Sequence, residues 1–512
     1  MKKTFNILEI FFILSLAYFT FRITKSNEYS LLPLFFSLAL SALYFLSIGK
    51  EKLIPLFSLL SYSILLSIYL AVDKMTNGSL ESFAVDGLII ILSTTTDEIF
   101  ATIENIPFRK IYIAILGIII TILFFITEFK ENKIITKKSV GSLILATSMI
   151  LTPNFFISKT IKNILNSQNS IEEYKLAEKQ KNIFRWGAYD TKKSPKSLSI
   201  IILGETTRGK NSSCNGYFRE TTPNIEQSGS ISFSNAISLG KHTVAATPYI
   251  LTRKDLSFNG VFNETSIFSA YKEAGYKTYY ISYLPEHHVG DNPINSITSE
   301  ADTYIRRTSK YDDGAVNIIN SLMQKNENRQ LIILKIVGSH YNFYTWYPES
   351  FDFFKPSYKT IKFNSPTIKE KDILINTYDN SLRFTDHVVG KIFDLIKNKN
   401  YDITLSFISD HGIALFDDNK NWGVMEQKGN YDILYFYWAN KIASERLGNK
   451  LSILESNKDK PIDASYFLDT QFEFDGISVD KTKGKSLFQP ISKHNQRFVM
   501  TSSGIKDFES LP

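Results

Sequence analysis

The sequence predicts two parts: an α-helical transmembrane domain of five spans, followed by an α/β domain with a mostly parallel central sheet. Nearly every long apolar run lies in the first third of the 512 residues. All seven histidines lie in the other two thirds, where short apolar strands alternate with helical segments from Leu198 onward. We therefore expect a membrane domain over 1–157, a polar linker over 158–197 and a separate domain over 198–512.

The first third contains five apolar stretches that approach the length of a span, which is roughly 20 mostly apolar residues. They are Phe5–Phe21, Leu31–Ile48, Leu53–Val72, Ile111–Thr127 and Val140–Ile157. Lysines cluster on alternate loops, which places the N-terminus in the cytoplasm. The first stretch begins like a signal peptide but lacks a small-residue cleavage site, so we expect it to be retained. An odd number of spans then puts the chain after about Ile157 outside the cytoplasm.

A segment near 84–104 lies between the third and fourth predicted spans. Its apolar part, Gly87–Leu92, is too short to cross a bilayer and is followed by the polar residues 93–98. The pattern is typical of a helix lying on the outer membrane surface, with Asp97 and Glu98 facing water or a lipid headgroup. A solvated helix end with capping residues explains it equally well.

The composition excludes several classes of protein. The 58 basic and 51 acidic residues leave a net charge of +7, spread along the chain rather than gathered into the basic patch of a nucleic-acid binder. The single cysteine, Cys214, cannot close an intramolecular disulfide or build a cysteine-rich zinc site. Any metal must therefore be held by histidine and carboxylate side chains.

Five apolar runs in the second part predict buried strands separated by helices. The predicted strands are 199–204, 277–282, 331–337, 403–408 and 433–438, and the helices include 264–274, 315–324 and 386–397. This alternation favours a mostly parallel sheet covered on both faces. Ligands of such sheets bind beyond the carboxyl ends of the strands, so polar residues directly after strands are the first candidates for a site.

Polar residues follow three of the predicted strands. Glu205 follows the first, His340 comes soon after the third, and Asp410 and His411 follow the fourth. Carboxylate and imidazole ligands without thiolates suit zinc or manganese. An isolated Asp-His pair is more often a turn with a hydrogen-bonded histidine, but three polar strand ends in one sheet favour a metal site.

These motifs resemble those of bacterial phosphoethanolamine transferases, membrane enzymes with an alkaline phosphatase/sulfatase-like catalytic domain. The matching segments are 204–208, 215–217, 219–224, 338–340, 378–386 and 409–412. The resemblance runs through the whole chain and implies an inner-membrane protein with its catalytic domain in the periplasm. It also implies one tightly bound ion, zinc or else manganese, held by Glu205, Thr243, Asp410 and His411, and it leaves a second ion open.

The resemblance also assigns the nucleophile. In the family it is a threonine that follows the metal-binding glutamate and precedes a proline, and Thr243 lies 38 residues after Glu205 and five before Pro248. Coordination to a cation would stabilise its alkoxide. Thr247 competes for the role within the same segment. Without the resemblance, two threonines capping a helix that begins near Pro248 would explain the pattern and be preferred.

Further residues are candidates for substrate binding. In the family, His340 corresponds to a residue near the transferred headgroup or a second metal. Thr94 and Glu98 match two residues of the family's ethanolamine site, in which Ile90 replaces an asparagine. The Glu98 carboxylate suits the ammonium group of ethanolamine. Lys241 lies close to the nucleophile and could bind phosphate, although an exposed loop lysine is the more ordinary interpretation.

The expected reaction is transfer of phosphoethanolamine from phosphatidylethanolamine to lipopolysaccharide or lipooligosaccharide, through a covalent phospho-threonine. Residues 416–431 contain no histidine, which casts doubt on a second zinc ion, although His287 or His288 could replace that ligand. With only Cys214, the chain also lacks the disulfides of members that modify lipid A. Both differences from the members that modify lipid A favour core heptose as the acceptor. We expect a monomer that binds the membrane and no nucleic acid.

Two alternatives remain. A phosphoglycerol transferase or a sulfatase-like phosphodiester hydrolase would keep the fold and change the group, although a sulfatase would use a modified cysteine or serine at the nucleophile position. A membrane scaffold or lipid-binding module without catalytic activity would not need Glu205, Thr243, Asp410 and His411 together.

Overall fold

The computed structural model describes residues 183–512, apart from 193, 259–261, 285–292 and 362–365. The five predicted spans, the surface segment with Thr94 and Glu98, and the pair His287 and His288 lie outside the described residues. Among the helices that are described, none has the length and apolar character needed to cross a membrane.

The described strands lie in one central sheet and several two-stranded ladders. They are β1 Tyr189–Asp190, β2 Ser197–Gly204, β3 Ile231–Ser232, β4 Ala236–Ile237, β5 Lys277–Ser282, β6 Thr303–Arg306, β7 Arg329–Lys335, β8 Asp402–Ser409, β9 Ala414–Leu415, β10 Trp422–Gly423, β11 Tyr435–Ala439, β12 Ile462–Asp463, β13 Ile477–Ser478, β14 Phe498–Thr501 and β15 Gly504–Asp507. The seven-stranded central sheet has the order β3-β11-β8-β2-β7-β5-β6.

The central sheet is mostly parallel, which confirms the prediction. β8, β2, β7, β5 and β6 run in one direction. β11, the last strand predicted from the sequence, is antiparallel to β8, and β3 is antiparallel to β11. Parallel strands in the middle of a sheet bury both faces, which is why every residue of β2 is buried and 200–203 form a continuous apolar stretch.

Helices cover both faces of the sheet. They are α1 Pro223–Gln227, α2 Thr243–Leu251, α3 Ile267–Glu273, α4 Pro293–Thr298, α5 Ala315–Met323, α6 Lys371–Ile396, α7 Lys428–Tyr431, α8 Lys441–Leu447, α9 Lys450–Asn457 and α10 Phe467–Phe474. Ile201 and Leu203 of β2 pack in one core with α2, α3 and α10. Ile200 and Ile202, on the opposite face of the same strand, pack in a second core with α5 and α6.

The longest helix, α6, differs most from its prediction. The apolar pattern predicts a helix from 386, but α6 begins at Lys371. Its first half buries polar side chains that interrupt the apolar periodicity, among them Asp379 and Asn380. Each has its own partner: Asp379 is paired with Arg219 at 2.8 Å, and Asn380 donates to the Asp352 carboxylate at 2.9 Å.

The folded domain includes residues from the stretch predicted as a linker. Trp186 is completely buried in the core that contains α2. Strand β1 pairs with β13, close to the end of α10. The described residues 186–192 therefore belong to the same folded domain as the sheet, because they supply a large apolar side chain and a paired strand.

Candidate active site

Three side chains converge where two neighbouring parallel strands end. Glu205 directly follows β2, and Asp410 and His411 directly follow β8. One potential ligand atom from each lies within 4.8 Å of the other two, and all three residues are buried. The structure thus brings together the carboxylates and the imidazole that the sequence singles out.

The register of the strands explains why these side chains share one face. Leu203 of β2 is opposite Ile408 of β8. Side chains two residues apart on a strand point to the same side. Glu205 and Asp410 therefore continue the row begun by Leu203 and Ile408, on the face covered by α2.

Thr243 reaches this cluster from the start of α2. The His242 ring accepts a hydrogen bond from the Ala245 amide and caps the helix. The Thr243 hydroxyl donates to Glu205 Oε2 at 3.1 Å and lies 3.4 Å from His411 Nε2. The predicted nucleophile and the predicted metal ligands are thus in direct contact.

The structure does not support the two other interpretations of this segment, in which the threonines cap a helix or Thr247 is the nucleophile. Helix α2 begins at Thr243, with Pro248 inside it, so the threonines do not cap a helix that starts near Pro248. Thr247 lies one turn further along, buried, and its hydroxyl has no hydrogen-bond partner among the described residues. Of the two threonines, Thr243 is the one in contact with Glu205 and His411.

The His411 ring is oriented by its own backbone neighbour. Its Nδ1 lies 2.6 Å from the Gly412 carbonyl oxygen, which can only accept a hydrogen bond, so Nδ1 carries the proton and Nε2 faces the cluster. Position 412 tolerates no side chain, because a Cβ there would lie 2.4 Å from the carbonyl oxygens of Asp432 and Gly429. Gly412 therefore allows the close chain packing that fixes His411.

A strained turn holds Glu205 at the end of β2. The next residue, Thr206, has a φ of 55°, a left-handed conformation that is rare for a β-branched residue. Its amide donates to Asp410 Oδ1 at 3.2 Å, its hydroxyl donates to Glu205 Oε1 at 2.8 Å, and its carbonyl accepts from the Tyr378 hydroxyl at 2.7 Å. These three bonds stabilise a conformation that would otherwise cost about 1–3 kcal/mol.

A lysine that the sequence pattern did not single out lies at the centre of the cluster. Lys335, the last residue of β7, is 1% exposed, and its Nζ lies 2.9 Å from Glu205 Oε2 and 2.8 Å from Asp410 Oδ2. It is in register with Leu203, and so on the same face as Glu205. The signal in the sequence was a single charged residue inside the apolar run 331–337.

The charges in the cluster shift each other's titration. Burial raises the pKa of Glu205, but Lys335 and His411 outweigh it and hold that pKa well below its ordinary value. Burial lowers the pKa of Lys335, but Asp410 and Glu205 outweigh this effect and raise it. Burial also lowers the pKa of His411, and the carboxylates of Asp410 and Glu205 more than offset this, raising it to about 9. The Glu205 carboxylate is thus held in its charged form beside two groups that favour their cationic forms.

Two other candidates lie nearby. His340 follows the Gly338 turn, and both the Val337 and Gly338 amides donate to the buried Asp312 carboxylate at 2.9 Å. His340 is half-buried, and its Nδ1 is buried without a hydrogen-bond partner among the described residues. Lys241 is instead engaged in an ion pair with Glu426 at 3.3 Å.

The donor set fits a divalent metal ion. Two carboxylates, an imidazole nitrogen and a threonine oxygen lie together, and hard oxygen ligands with one imidazole suit zinc or manganese. The buried Lys335 ammonium already pairs with both carboxylates, so a metal ion held here would share them with an existing positive charge.

The match to a known family agrees with this geometry. The family model described as Sulfatase matches residues 197–474, more than half of the chain. The chain therefore belongs to the sulfatase family.

Its curated relatives include phosphoethanolamine transferases. Phosphoethanolamine transferase EptA of Escherichia coli K12 is 28% identical over 238 residues, which are 43% of this chain and 41% of that protein. Another relative from the same organism is matched over 60% of its length. The chain thus spans less than two thirds of either relative.

Two solved structures share the fold. The C-terminal periplasmic domain of EptC from Escherichia coli, solved in complex with Zn, is 22% identical with a TM-score of 0.56, over 64% of this chain and 96% of that one. The integral membrane protein lipooligosaccharide phosphoethanolamine transferase A from Neisseria meningitidis is 18% identical with a TM-score of 0.65, over 92% of this chain and 96% of that one.

We expect the Tyr378 hydroxyl to support the turn at Thr206. Tyr378→Phe leaves the Thr206 carbonyl and the Arg208 amide without their buried partner, which should cost about 1–3 kcal/mol of unfolding free energy. Chemical denaturation of the full chain measures the change. Tyr304→Phe, at a tyrosine that is 46% exposed, is the control and should change stability by less than about 0.5 kcal/mol. Equal effects would contradict this role for Tyr378.

We also expect zinc binding to depend on the cluster. Asp410→Asn removes a negative ligand and should weaken zinc binding by more than about 100-fold, since losing even a supporting partner of a ligand costs roughly 10–100-fold. Equilibrium dialysis of the detergent-solubilised chain against a competing chelator measures the affinity. Asp418→Asn, in the turn between β9 and β10, should bind zinc like the wild type. An unchanged affinity in Asp410→Asn would exclude the cluster as the metal site.

Proposed function

We propose that this chain is a metal-dependent transferase of the inner membrane. It moves phosphoethanolamine from phosphatidylethanolamine to lipopolysaccharide or lipooligosaccharide, and Thr243 carries the group between the two substrates. The observation that carries the proposal is the Thr243 hydroxyl, hydrogen-bonded to Glu205 inside a buried set of metal donors. The similarity to phosphoethanolamine transferases supports the choice of the group.

The proposed ligands are Glu205, Asp410 and His411, together with the Thr243 oxygen. A zinc ion bound there would supply Lewis-acid chemistry, stabilising the threonine alkoxide and polarising a phosphoryl oxygen. The similarity to a domain solved with Zn supports zinc over manganese. One ion is the expectation, since the described residues contain one group of three such donors.

The first half-reaction loads the threonine. The Thr243 oxygen forms a bond to the phosphorus of phosphatidylethanolamine, and the bond from phosphorus to the diacylglycerol oxygen breaks. The hydroxyl proton, hydrogen-bonded to Glu205 Oε2 at 3.1 Å, is released to water, because the low pKa of Glu205 keeps that carboxylate ionised. The diacylglycerol oxygen takes up a proton from water and leaves as an alcohol, so that phosphoethanolamine remains as an ester of Thr243.

The second half-reaction transfers phosphoethanolamine from Thr243 to the acceptor. An oxygen of the acceptor attacks the phosphorus, and the Thr243 oxygen leaves and regains a proton. The half-buried His340 side chain is our candidate for contact with a phosphoryl or acceptor oxygen. We propose a sugar hydroxyl of core heptose as the acceptor, because residues 416–431 contain no histidine and the chain has one cysteine. A lipid A phosphate is the alternative.

The membrane anchor is part of the same proposal. Both proposed substrates are lipids, and five spans over 1–157 would hold the catalytic domain at the periplasmic face of the inner membrane. Thr94 and Glu98 would lie near the ethanolamine ammonium on the predicted surface helix. The likeness to an integral membrane protein over 92% of this chain supports this arrangement.

We expect Thr243→Ala to abolish transfer. Wild-type chain expressed in a host with the acceptor should add phosphoethanolamine to lipopolysaccharide, and Thr243→Ala should add none, because no oxygen remains to carry the group. Mass spectrometry with fragmentation separates lipid A from core and so identifies the acceptor.

The matched control is Thr247→Ala, on the same helix one turn away. It removes a hydroxyl that has no partner among the described residues and should leave modification within about twofold of wild type. Equal modification by wild type and Thr243→Ala would remove Thr243 from the mechanism.

We expect the donor to be selected by its ethanolamine headgroup. In vesicles, the purified full chain should release diacylglycerol from labelled phosphatidylethanolamine and at least about tenfold more slowly from phosphatidylglycerol, because the neutral glycerol group cannot pair with a carboxylate. Glu98→Gln should reduce the difference between the rates of diacylglycerol release from the two lipids. Preference for phosphatidylglycerol would instead establish a phosphoglycerol transferase.

A further inference from the structure

The ammonium group of Lys335 is completely engaged inside the cluster. Its Nζ donates to the Gly204 carbonyl at 2.8 Å and to Asp410 Oδ2 at 2.8 Å, and it lies 2.9 Å from Glu205 Oε2. Three acceptors match the three hydrogens of an ammonium group. Two of those acceptors are carboxylate oxygens of the proposed metal ligands.

We propose that Lys335 is a positioning residue that acts as an internal counter-cation for the metal site. It holds Glu205 and Asp410 at ligand spacing when no metal is bound, and its positive charge weakens their hold on a divalent ion. The metal is therefore exchangeable, and the metal-free chain keeps its fold. This inference rests on the proposed use of the cluster as a metal site.

In the metal-free state, Lys335 stabilises the two carboxylates electrostatically. Glu205 and Asp410 are 1% and 0% exposed, so water cannot stabilise their charges. Two such carboxylates side by side repel each other and carry a large desolvation penalty unless a cation pairs with both. Lys335 pairs with both at 2.8–2.9 Å, closer than His411, whose Nε2 lies 3.4 Å from Glu205 Oε1 and 3.9 Å from Asp410 Oδ2.

In the metal-bound state, the Lys335 ammonium and the metal ion compete for the same carboxylates. A divalent ion between Glu205, Asp410 and His411 would approach a fixed positive charge at short range in a poorly screened interior. It would also have to share Oε2 and Oδ2 with the ammonium group. Both effects lower the affinity of the site for the metal relative to the same ligands without the lysine.

Lys192 offers a matched comparison elsewhere in the domain. It is also a buried lysine, 9% exposed, and it pairs with Asp190 at 3.6 Å. It donates to the Tyr276 hydroxyl and the Asp475 carbonyl. Asp402, at the opposite end of β8 from Asp410, also favours the charged form of Lys192. A lysine whose role is only structural should behave like Lys192.

The test compares Lys335→Met with Lys335→Arg and Lys192→Met in the detergent-solubilised full chain. Zinc affinity is measured against a competing chelator, and the unfolding midpoint is measured with and without zinc. Lys335→Met should bind zinc at least about tenfold tighter than wild type. It should also show a larger difference between the two midpoints, because the metal now provides the missing charge. Lys335→Arg, which keeps the charge, should stay close to wild type.

Lys192→Met should lower both midpoints together without changing zinc affinity. A zinc affinity of Lys335→Met equal to or below that of wild type would overturn the counter-cation role. If Lys335→Met folds only with zinc, the inference is supported; if it fails to fold in either state, the zinc affinity of Lys335→Gln decides by the same criterion. Absence of zinc binding in both wild type and the Lys335 variants would instead overturn the metal site itself, and the inference with it.

Discussion

The structure of the site depends on one interaction, the burial of two carboxylates against a single ammonium group. Glu205, Asp410 and Lys335 lie at the adjacent ends of β2, β8 and β7, each about 1% exposed or less. Buried charges are tolerated only when they are paired and hydrogen-bonded, so the three side chains fix one another. The Thr243 hydroxyl and the His411 ring then have defined positions beside Glu205, and the cluster becomes a place where a cation and an oxygen nucleophile meet.

The rest of the fold supplies the precision that this pairing needs. Three parallel strands in register bring Leu203, Ile408 and Lys335 side by side. The left-handed Thr206 and the close approach at Gly412 then turn the chain immediately beyond the strands. Because both faces of the sheet are packed with apolar side chains, these turns cannot relax without disturbing the core. The strained backbone near Glu205 is thus maintained by a framework whose rigidity comes from the apolar packing on both faces of the sheet.

Sequence reasoning predicted the parts of this arrangement that follow from local patterns. The strands before Glu205 and Asp410 carry apolar residues up to Leu203 and Ile408, so the polar residues that follow them could be recognised as candidates. The spacing to Pro248 located Thr243 through the family resemblance. Lys335 was missed because strand register, which alone places it beside Glu205, cannot be derived from one strand's sequence. The start of α6 was missed because Asp379 and Asn380 are buried through polar partners far along the chain. The antiparallel direction of β11 likewise depends on tertiary pairing rather than on its own residues.

The central claim is that Thr243 carries the transferred group, and trapping that intermediate tests it most directly. The wild-type chain with zinc is mixed with phosphatidylethanolamine in the absence of acceptor, quenched and digested, and the peptide containing Thr243 is sequenced by mass spectrometry. The account predicts a phosphoethanolamine ester on Thr243 that disappears when lipopolysaccharide is added. Diacylglycerol release without any modified Thr243 peptide, or the group on another residue, would contradict it.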